Sequence, residues 1–238
     1  MRMMMELPEI MRELEALGKE PIKKRYMGNG AKEPLFGAAA GAMKPLLKKT
    51  GKNQPLAEAL YATGNYDAMY FAGMAAEPGL MTHADFDRWM EGAYFFMLSD
   101  FVVAVTLAES PIAQTVALKW LDSPRELTVS GGWSCWNWLT GWRPDAAFDE
   151  GVMRNLLQRA RDDIVSHNGR ARIAIRNFIM AAGVSYKPLF KEICTIAEDI
   201  DALSLSYDDV RCFSGIARAI RAEEQKGRLG FKRKSVRC

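Results

Sequence analysis

Residues 149–200 read DEGVMRNLLQRARDDIVSHNGRARIAIRNFIMAAGVSYKPLFKEICTIAEDI, and this stretch decides the fold class. Its apolar residues recur every three or four positions, which is the period of an α-helix with one buried face. Helix starts are predicted near Pro111, Asp149 and Lys187, at intervals of 38 residues, with smaller-residue helices between them. This alternation is typical of HEAT-like repeats, in which antiparallel helix pairs stack into a curved solenoid.

The rest of the chain also has a helical pattern, and no segment alternates apolar and polar residues over the length of a strand. The sequence predicts a helix over residues 7–17 and further helices that begin after Asn65 and Thr82, two residue types that cap helix N-termini. We therefore predict an all-α protein with a single domain over residues 1–225 and a basic tail over residues 226–238.

Cysteines, histidines and apolar runs exclude several classes of protein. The four cysteines form no Cys-x-x-Cys pair, and the two histidines stand far from them. This pattern predicts neither a zinc site nor a disulfide framework, and it fits a reducing cytoplasm. No signal peptide or membrane-spanning run is found, and no phosphate-binding loop, HExxH, GxSxG or dinucleotide-binding motif is present. We expect a cytoplasmic monomer without metal or cofactor.

Cationic residues are concentrated in two segments of the chain. Residues 19–52 contain nine Lys or Arg and two Glu, and residues 226–238 contain six Lys or Arg and no acid, whereas the whole chain carries only +3. Dense positive charge attracts nucleic acid, because neutralising phosphates releases condensed counterions. Such charge can also serve solubility alone, and the charge pattern leaves both interpretations open.

The run Tyr94-Phe95-Phe96-Met97-Leu98-Ser99-Asp100 places a carboxylate at the edge of an aromatic cluster. Such a carboxylate can stabilise the oxocarbenium ion that forms when a glycosidic bond breaks. Alternatively, Ser99 or Asp100 caps the helix that follows, by accepting hydrogen bonds from its free amides. The sequence pattern is compatible with both roles.

Two further patterns carry candidate nucleic-acid contacts. Residues 131–138 contain three tryptophans, and Trp142 follows. Aromatic rings on a basic surface can stack on nucleobases, but a tryptophan cluster more often forms the core between repeats. Arg172 and Arg176 lie four residues apart on one helix face, which suits either phosphate contacts or a simple solvated surface.

Six short motifs lie along the chain: Lys24–Gly30, Pro34–Gly37, Leu60–Ala68, Ala72–Met74, Lys119–Ser123 and Gly230–Cys238. Together they resemble the AlkD-type DNA alkylation repair family, in a divergent bacterial branch, and the similarity covers residues 5–238. The resemblance implies a C-shaped stack of helix pairs whose concave face cradles duplex DNA. It also implies the activity of the characterised active members, which excise cationic N3- and N7-alkylpurines.

Carried over residue by residue, the resemblance implies a site in which some functional residues of the family are retained and others are replaced. The family's catalytic aspartate corresponds to Asp100, the tryptophan one turn earlier to Phe96, and a tyrosine of the N-terminal basic segment to Tyr26. The positions of a phosphate-binding arginine and of a second tryptophan correspond to Ser130 and Val184. Neither of these side chains can do the same job.

We expect duplex DNA as the partner, and three hypotheses are open. The protein is an alkylpurine DNA glycosylase with a partly degraded site, a non-catalytic binder of damaged, bent or branched DNA, or a protein-binding helical scaffold. The catalytic candidates are Asp100 and Phe96. The DNA-binding candidates are Lys23, Lys24, Arg25, Tyr26, Arg172, Arg176, Lys232, Arg233 and Lys234. The side chains of the terminal cations are expected to be flexible and without aromatic neighbours.

Overall fold

The computed structural model describes residues 5–205 and 215–237, and these residues form fourteen α-helices. The Cα positions fall into two compact units, Met1–Ile112 and Ala113–Cys238. Apart from an isolated antiparallel bridge between Gly18 and Ala38, the described residues contain no β-structure. The all-α prediction is confirmed, and the single domain over residues 1–225 stays a prediction.

The first unit is built around one buried helix. Helix α5 packs against α3, α4 and α8, and eight of its ten residues are buried, so it forms the core of the unit. A π-helical turn over Ser99–Val103 joins α7 to α8. The helices of this unit are α1 (Leu7–Ala16), α2 (Glu20–Gly28), α3 (Ala40–Thr50), α4 (Gln54–Ala62), α5 (Tyr66–Ala75), α6 (His83–Gly92), α7 (Phe96–Leu98) and α8 (Ala104–Ala108).

Local capping explains where two of these helices begin. The Asn65 side chain accepts hydrogen bonds from the amides of Asp67 and Ala68, and the Thr82 hydroxyl accepts one from the amide of Asp85. These caps satisfy amides that a helix start leaves free, and losing one costs about 1 kcal/mol. Both predicted starts are confirmed.

Helices α2 and α3 of the first unit have no clear helical pattern in the sequence. Helix α2 has no fully buried residue, so it lacks an apolar stripe. Helix α3 contains Pro45 in its interior, a residue that normally ends a helix because it lacks an amide donor. Periodicity therefore does not reveal either of them.

The second unit consists of stacked helix pairs. Helices α10, α12 and α14 pack in succession, while α11 packs against both α12 and α13, and the predicted alternation is confirmed. Helix α10 approaches α9 closely at Gly132, where a Cβ would stand 3.0 Å from the Ala117 carbonyl oxygen. The helices are α9 (Ala113–Trp120), α10 (Glu126–Trp142), α11 (Glu150–Ser166), α12 (Gly169–Ser185), α13 (Phe190–Ala202) and α14 (Ile216–Gln225).

Two sequence predictions fall partly on residues 206–214, which lie outside the described residues. These are a loop over residues 203–209 and a helix from Phe213 to Gln225, of which the structure describes the helical part Ile216–Gln225. Across the described ranges, no helix combines the length and the apolar character needed to cross a bilayer.

Candidate functional site

Asp100 lies in the π-helical turn Ser99–Val103, which continues α7 into α8 without a break, because the flanking residues keep right-handed helical backbone angles. It does not begin a new helix, so its interpretation as an N-terminal cap is wrong. Its side chain is 1% exposed, and its Oδ1 accepts a hydrogen bond of 2.8 Å from the Ser99 hydroxyl. π-Helical turns are frequent at functional sites. A carboxylate this deeply buried nevertheless meets a deoxyribose only if its surroundings move.

Tyr26 and Phe96 belong to one cluster of aromatic rings in the first unit. The Tyr26 ring packs edge-on against Tyr66, with centroids 5.0 Å apart, and Tyr66 lies 5.3 Å from Phe95. Phe95 lies 5.9 Å from Phe96, which in turn contacts Phe101 at 6.3 Å. These five rings, the aromatic cluster, bring together two of the predicted site residues.

Tyr66 and Phe95 are members of this cluster that the sequence pattern does not reveal as site residues. They are 2% and 7% exposed and form the buried link between the outer rings. Tyr26 is half-buried, and its hydroxyl donates to the Ala38 carbonyl oxygen at 3.2 Å. Burial raises the pKa of Tyr26, so the hydroxyl keeps its proton and this hydrogen bond persists.

Asp67 holds the backbone segment that follows the N-terminal basic motif. Its buried carboxylate accepts hydrogen bonds from the amides of Phe36, Gly37 and Ala38 at 2.6, 3.0 and 2.8 Å. Burial raises the pKa of Asp67, and these amides oppose the shift by stabilising the charged form. The motif Leu60–Ala68 contains this residue, but its role depends on a contact about 30 positions away along the chain, which the sequence alone does not show.

The predicted cations of the first unit differ in how far they are already neutralised. Lys23 forms an ion pair of 2.6 Å with Glu33, which raises the pKa of Lys23 and lowers that of Glu33. Lys24 is exposed and stands 3.9 Å from Glu20. The exposed Arg25 guanidinium lies 5.8 Å from the Tyr26 ring centroid. Lys24 and Arg25 therefore suit an external anion better than Lys23 does.

The arginine pair of α12 does not form the exposed face that the spacing predicts. Arg176 is 8% exposed, so its side chain belongs to the interior of the second unit. The Nε of Arg172 donates to the carbonyl oxygens of Ile164 and His167, at the C-terminal end of α11. Because one guanidinium is buried and the other is turned to backbone carbonyls, the geometry gives no support to this pair as phosphate ligands.

Ser130 and Val184, the two replacements that the resemblance implies cannot do the same job, are on α10 and α12. Ser130 is fully buried, and its hydroxyl faces the Arg170 carbonyl oxygen at 3.5 Å. The Val184 carbonyl oxygen accepts a hydrogen bond from the amide of Gly230. Neither side chain offers a surface group that could hold a phosphate or stack on a sugar.

The tryptophans of α10 divide into two groups. Trp133 and Trp136 are fully buried, and Trp133 packs against Phe178 of α12. The core interpretation of these two residues is therefore confirmed. Trp138 and Trp142 are partly exposed.

The basic C-terminal segment packs against the C-terminal end of α10 within the second unit. The Lys232 ammonium donates to the Thr140 carbonyl oxygen and pairs with Asp145, both at 2.8 Å, and the Arg233 amide donates to the Gly141 carbonyl oxygen. The Arg233 guanidinium lies 4.9 Å from the Trp138 ring centroid, so the expectation of flexible cations without aromatic neighbours is wrong. The segment docks because cations and amide donors satisfy carbonyls at a helix C-terminus.

Sequence comparisons relate the chain to bacterial proteins. The profile of a family described as DNA alkylation repair enzyme matches residues 10–167. The uncharacterized proteins Lin0241 of Listeria innocua and Lmo0209 of Listeria monocytogenes are 25% and 24% identical over 205 residues. Those alignments cover 84% of this chain and 88% of each relative.

One solved structure is similar along nearly the whole chain. Its sequence is 51% identical, the TM-score is 0.90, and the match covers 98% of this chain and 100% of the other. That protein represents a new family related to the HEAT-like repeat DNA glycosylases, with affinity for branched DNA structures. The HEAT-like fold predicted from the repeat is thereby confirmed.

Proposed function

Because this chain belongs to the DNA alkylation repair enzyme family, we propose that it binds DNA and that branched DNA is its preferred form. The observation that carries the proposal is the 51% identity, over 98% of the chain, to a protein with affinity for branched DNA structures. Identity at this level over the whole length, with a TM-score of 0.90, means that the two proteins share their fold, and the proposal extends this likeness to DNA binding.

The charge distribution supports DNA as the partner. The segment over residues 19–52 has nine cations against two acids, and its exposed members include Lys24, Arg25 and Lys32. The Lys32 ammonium lies 5.8 Å from the Tyr94 ring centroid, and the Lys32 backbone amide donates a hydrogen bond to the Tyr94 hydroxyl. Cations held on an aromatic surface bind phosphates without losing much side-chain freedom.

Excision of alkylated bases is the second candidate function, and the retained Asp100, four residues after Phe96 in the sequence, is the observation that favours it. Three features weigh against it: the 1% exposure of Asp100, the hydrogen bond that it accepts from Ser99, and the buried serine at position 130. A carboxylate that stabilises an oxocarbenium must stand beside the sugar, and small misplacements sharply reduce the rate. We therefore propose DNA binding as the main function and base excision as the second candidate.

The decisive experiment compares a fluorescent three-way junction with a linear duplex of the same arm sequence. We expect tighter binding to the junction, and weaker binding of both probes as the salt concentration rises. Equal affinity for the two probes would overturn the preference for branches. Lack of binding at low salt would overturn the DNA proposal and favour the protein-binding scaffold. Release of 7-methylguanine from a methylated duplex tests excision in parallel.

A further inference from the structure

Two arginine–tryptophan pairs occur at the C-terminal end of α10. Trp138 and Trp142 are four residues apart, so they share one face of the helix, with Cβ atoms about 6 Å apart. The Arg143 guanidinium lies 4.3 Å from the Trp142 ring centroid, and that of Arg233 lies 4.9 Å from the Trp138 ring centroid. The backbone bond from Arg233 to Gly141 fixes the second pair in place. Each guanidinium thus lies over one of two tryptophan rings whose residues are one helical turn apart.

The arginines of α11, and Arg221 of α14, form ion pairs with carboxylates. Their ion pairs are Arg154 with Glu150 and Glu192, Arg159 with Asp122 and Asp163, Arg161 with Asp199, and Arg221 with Glu198. Within residues 5–205 and 215–237, by contrast, neither Arg143 nor Arg233 donates from its guanidinium to a carboxylate or a carbonyl oxygen. Among the described residues, nothing therefore prevents the guanidinium N–H groups of these two arginines from donating to an external anion.

Stacking on an indole ring orients a guanidinium without using its five N–H donors. A cation that is already oriented loses less side-chain entropy when it binds a ligand, so its contribution to affinity is larger. Arg233 is exposed and Arg143 is partly exposed, so both can be reached from solvent. These pairs have the properties of preformed anion contacts.

Further cations belong to or contact the C-terminal segment that carries Arg233, and several cations favour a polyanion over a single carboxylate. Lys234 follows Arg233 and is exposed. The Lys187 side chain lies against Gly230, so close that a Cβ there would stand 3.0 Å from its Nζ. The nearby Asp145 is already paired with Lys232. Several cations on one part of a protein gain most from a phosphate backbone, because each phosphate contact releases a condensed counterion.

We propose that the Arg143–Trp142 and Arg233–Trp138 pairs form a contact surface for the sugar–phosphate backbone of bound DNA. This inference rests on the proposed function, that the protein binds DNA. The arginines are the phosphate ligands, and the tryptophans are positioning residues. The competing explanation is that the arginines only compensate the negative C-terminal end of α10. It predicts a loss of stability and no change in DNA affinity.

The test is the double variant Arg143→Gln/Arg233→Gln, with Arg161→Gln/Arg221→Gln as the matched control. Both variants remove two positive charges from the second unit, but the control arginines are paired with Asp199 and Glu198. Binding of a fluorescent three-way junction and of a linear duplex is measured from about 0.05 to 0.2 M salt. We expect the test variant to lose about tenfold or more in affinity near ~0.1 M salt and its log–log slope to become shallower by about 2. The control keeps the wild-type slope.

Trp142→Leu and Trp142→Phe test the positioning role, because both keep all charges. The Leu variant is expected to bind both probes several-fold more weakly at an unchanged salt slope, and the Phe variant to recover most of that loss. Thermal melting of each variant shows whether the fold is intact. If wild type binds DNA and the double arginine variant matches its control in affinity and slope, this inference is wrong while the proposed function stands. If wild type fails to bind any DNA, the proposed function itself is wrong.

Discussion

The Ser99 hydroxyl donates a hydrogen bond of 2.8 Å to the Oδ1 of Asp100, and both side chains are buried. The bond ties the retained carboxylate to its own helix, inside a π-helical turn. A group held in this way keeps its geometry well but is poorly accessible to a bulky ligand. Because the burial of Asp100 affects catalysis but not DNA binding elsewhere on the protein, the two activities need separate experiments.

Replacement of Asp100 by Asn tests catalysis directly. Any release of 7-methylguanine from methylated duplex DNA is expected to be slow in wild type and absent in Asp100→Asn. The expected loss is roughly 10²–10³ in rate, because the variant no longer places negative charge beside the forming oxocarbenium. DNA affinity, measured in the same samples, should stay within about twofold of wild type. Equal excision by the two proteins would show that the residue has been assigned the wrong role.

Introduction of arginine at position 130 is expected to destabilise the protein and not to restore a phosphate contact. Ser130 is fully buried on α10 against α12, so a long charged side chain has no room and loses its hydration. We expect Ser130→Arg to lower the free energy of unfolding by about 2–4 kcal/mol in urea denaturation. Thr115→Arg, at an exposed position of α9, is the control and should change it by less than about 0.5 kcal/mol. A stable Ser130→Arg variant with tighter DNA binding would contradict this expectation.

Replacement of Asp67 by Asn should destabilise the first unit. The amide has only one acceptor oxygen, and its NH₂ group would point at backbone amides that now donate to the carboxylate. We expect a loss of about 2–4 kcal/mol in the free energy of unfolding, from buried donors left without acceptors. Asp162→Asn, at an exposed position of α11, provides the control for the charge change. A loss under about 1 kcal/mol would mean that this segment is held by other contacts.

Replacement of Lys232 should change the stability of the protein, whereas replacement of Lys234 should change its DNA binding. Lys232→Met removes the hydrogen bond to Thr140 and the ion pair with Asp145, so we expect a stability loss of about 1–2 kcal/mol. Lys234→Met removes an exposed cation, so stability should stay constant while the salt slope of DNA binding becomes shallower by about 1. Melting curves and salt titrations of both variants measure the two effects. Identical behaviour of the two variants would contradict the docked position of this segment.

Duplex binding by the wild-type protein should show weak sequence preference and a clear salt dependence. If about 4–6 phosphates are neutralised, the log–log slope is expected to be about −4 to −5. Binding of several unrelated duplexes of equal length, titrated from low to moderate salt, measures both properties. An affinity that does not change with salt would show that the basic segments take no part in binding.

The sequence by itself determined the helical class, the repeat and the starts of several helices. These features depend on short-range chemistry: the apolar period of three to four residues, and caps such as Asn65 and Thr82 that bond to amides two or three positions ahead. The family was also evident, since its motifs are continuous in the chain. Helices α2 and α3 could not be predicted from the sequence, because α2 has no fully buried residue and α3 contains Pro45.

Only the tertiary structure decided which of the predicted site residues are accessible. Periodicity shows that Arg172 and Arg176 share a helix face, but the packing of neighbouring helices decides that Arg176 is buried. The partners of Lys232 and Arg233 lie about 90 residues earlier in the chain, at Thr140 and Trp138. No local pattern encodes such a contact, because burial and pairing depend on residues that only folding brings together.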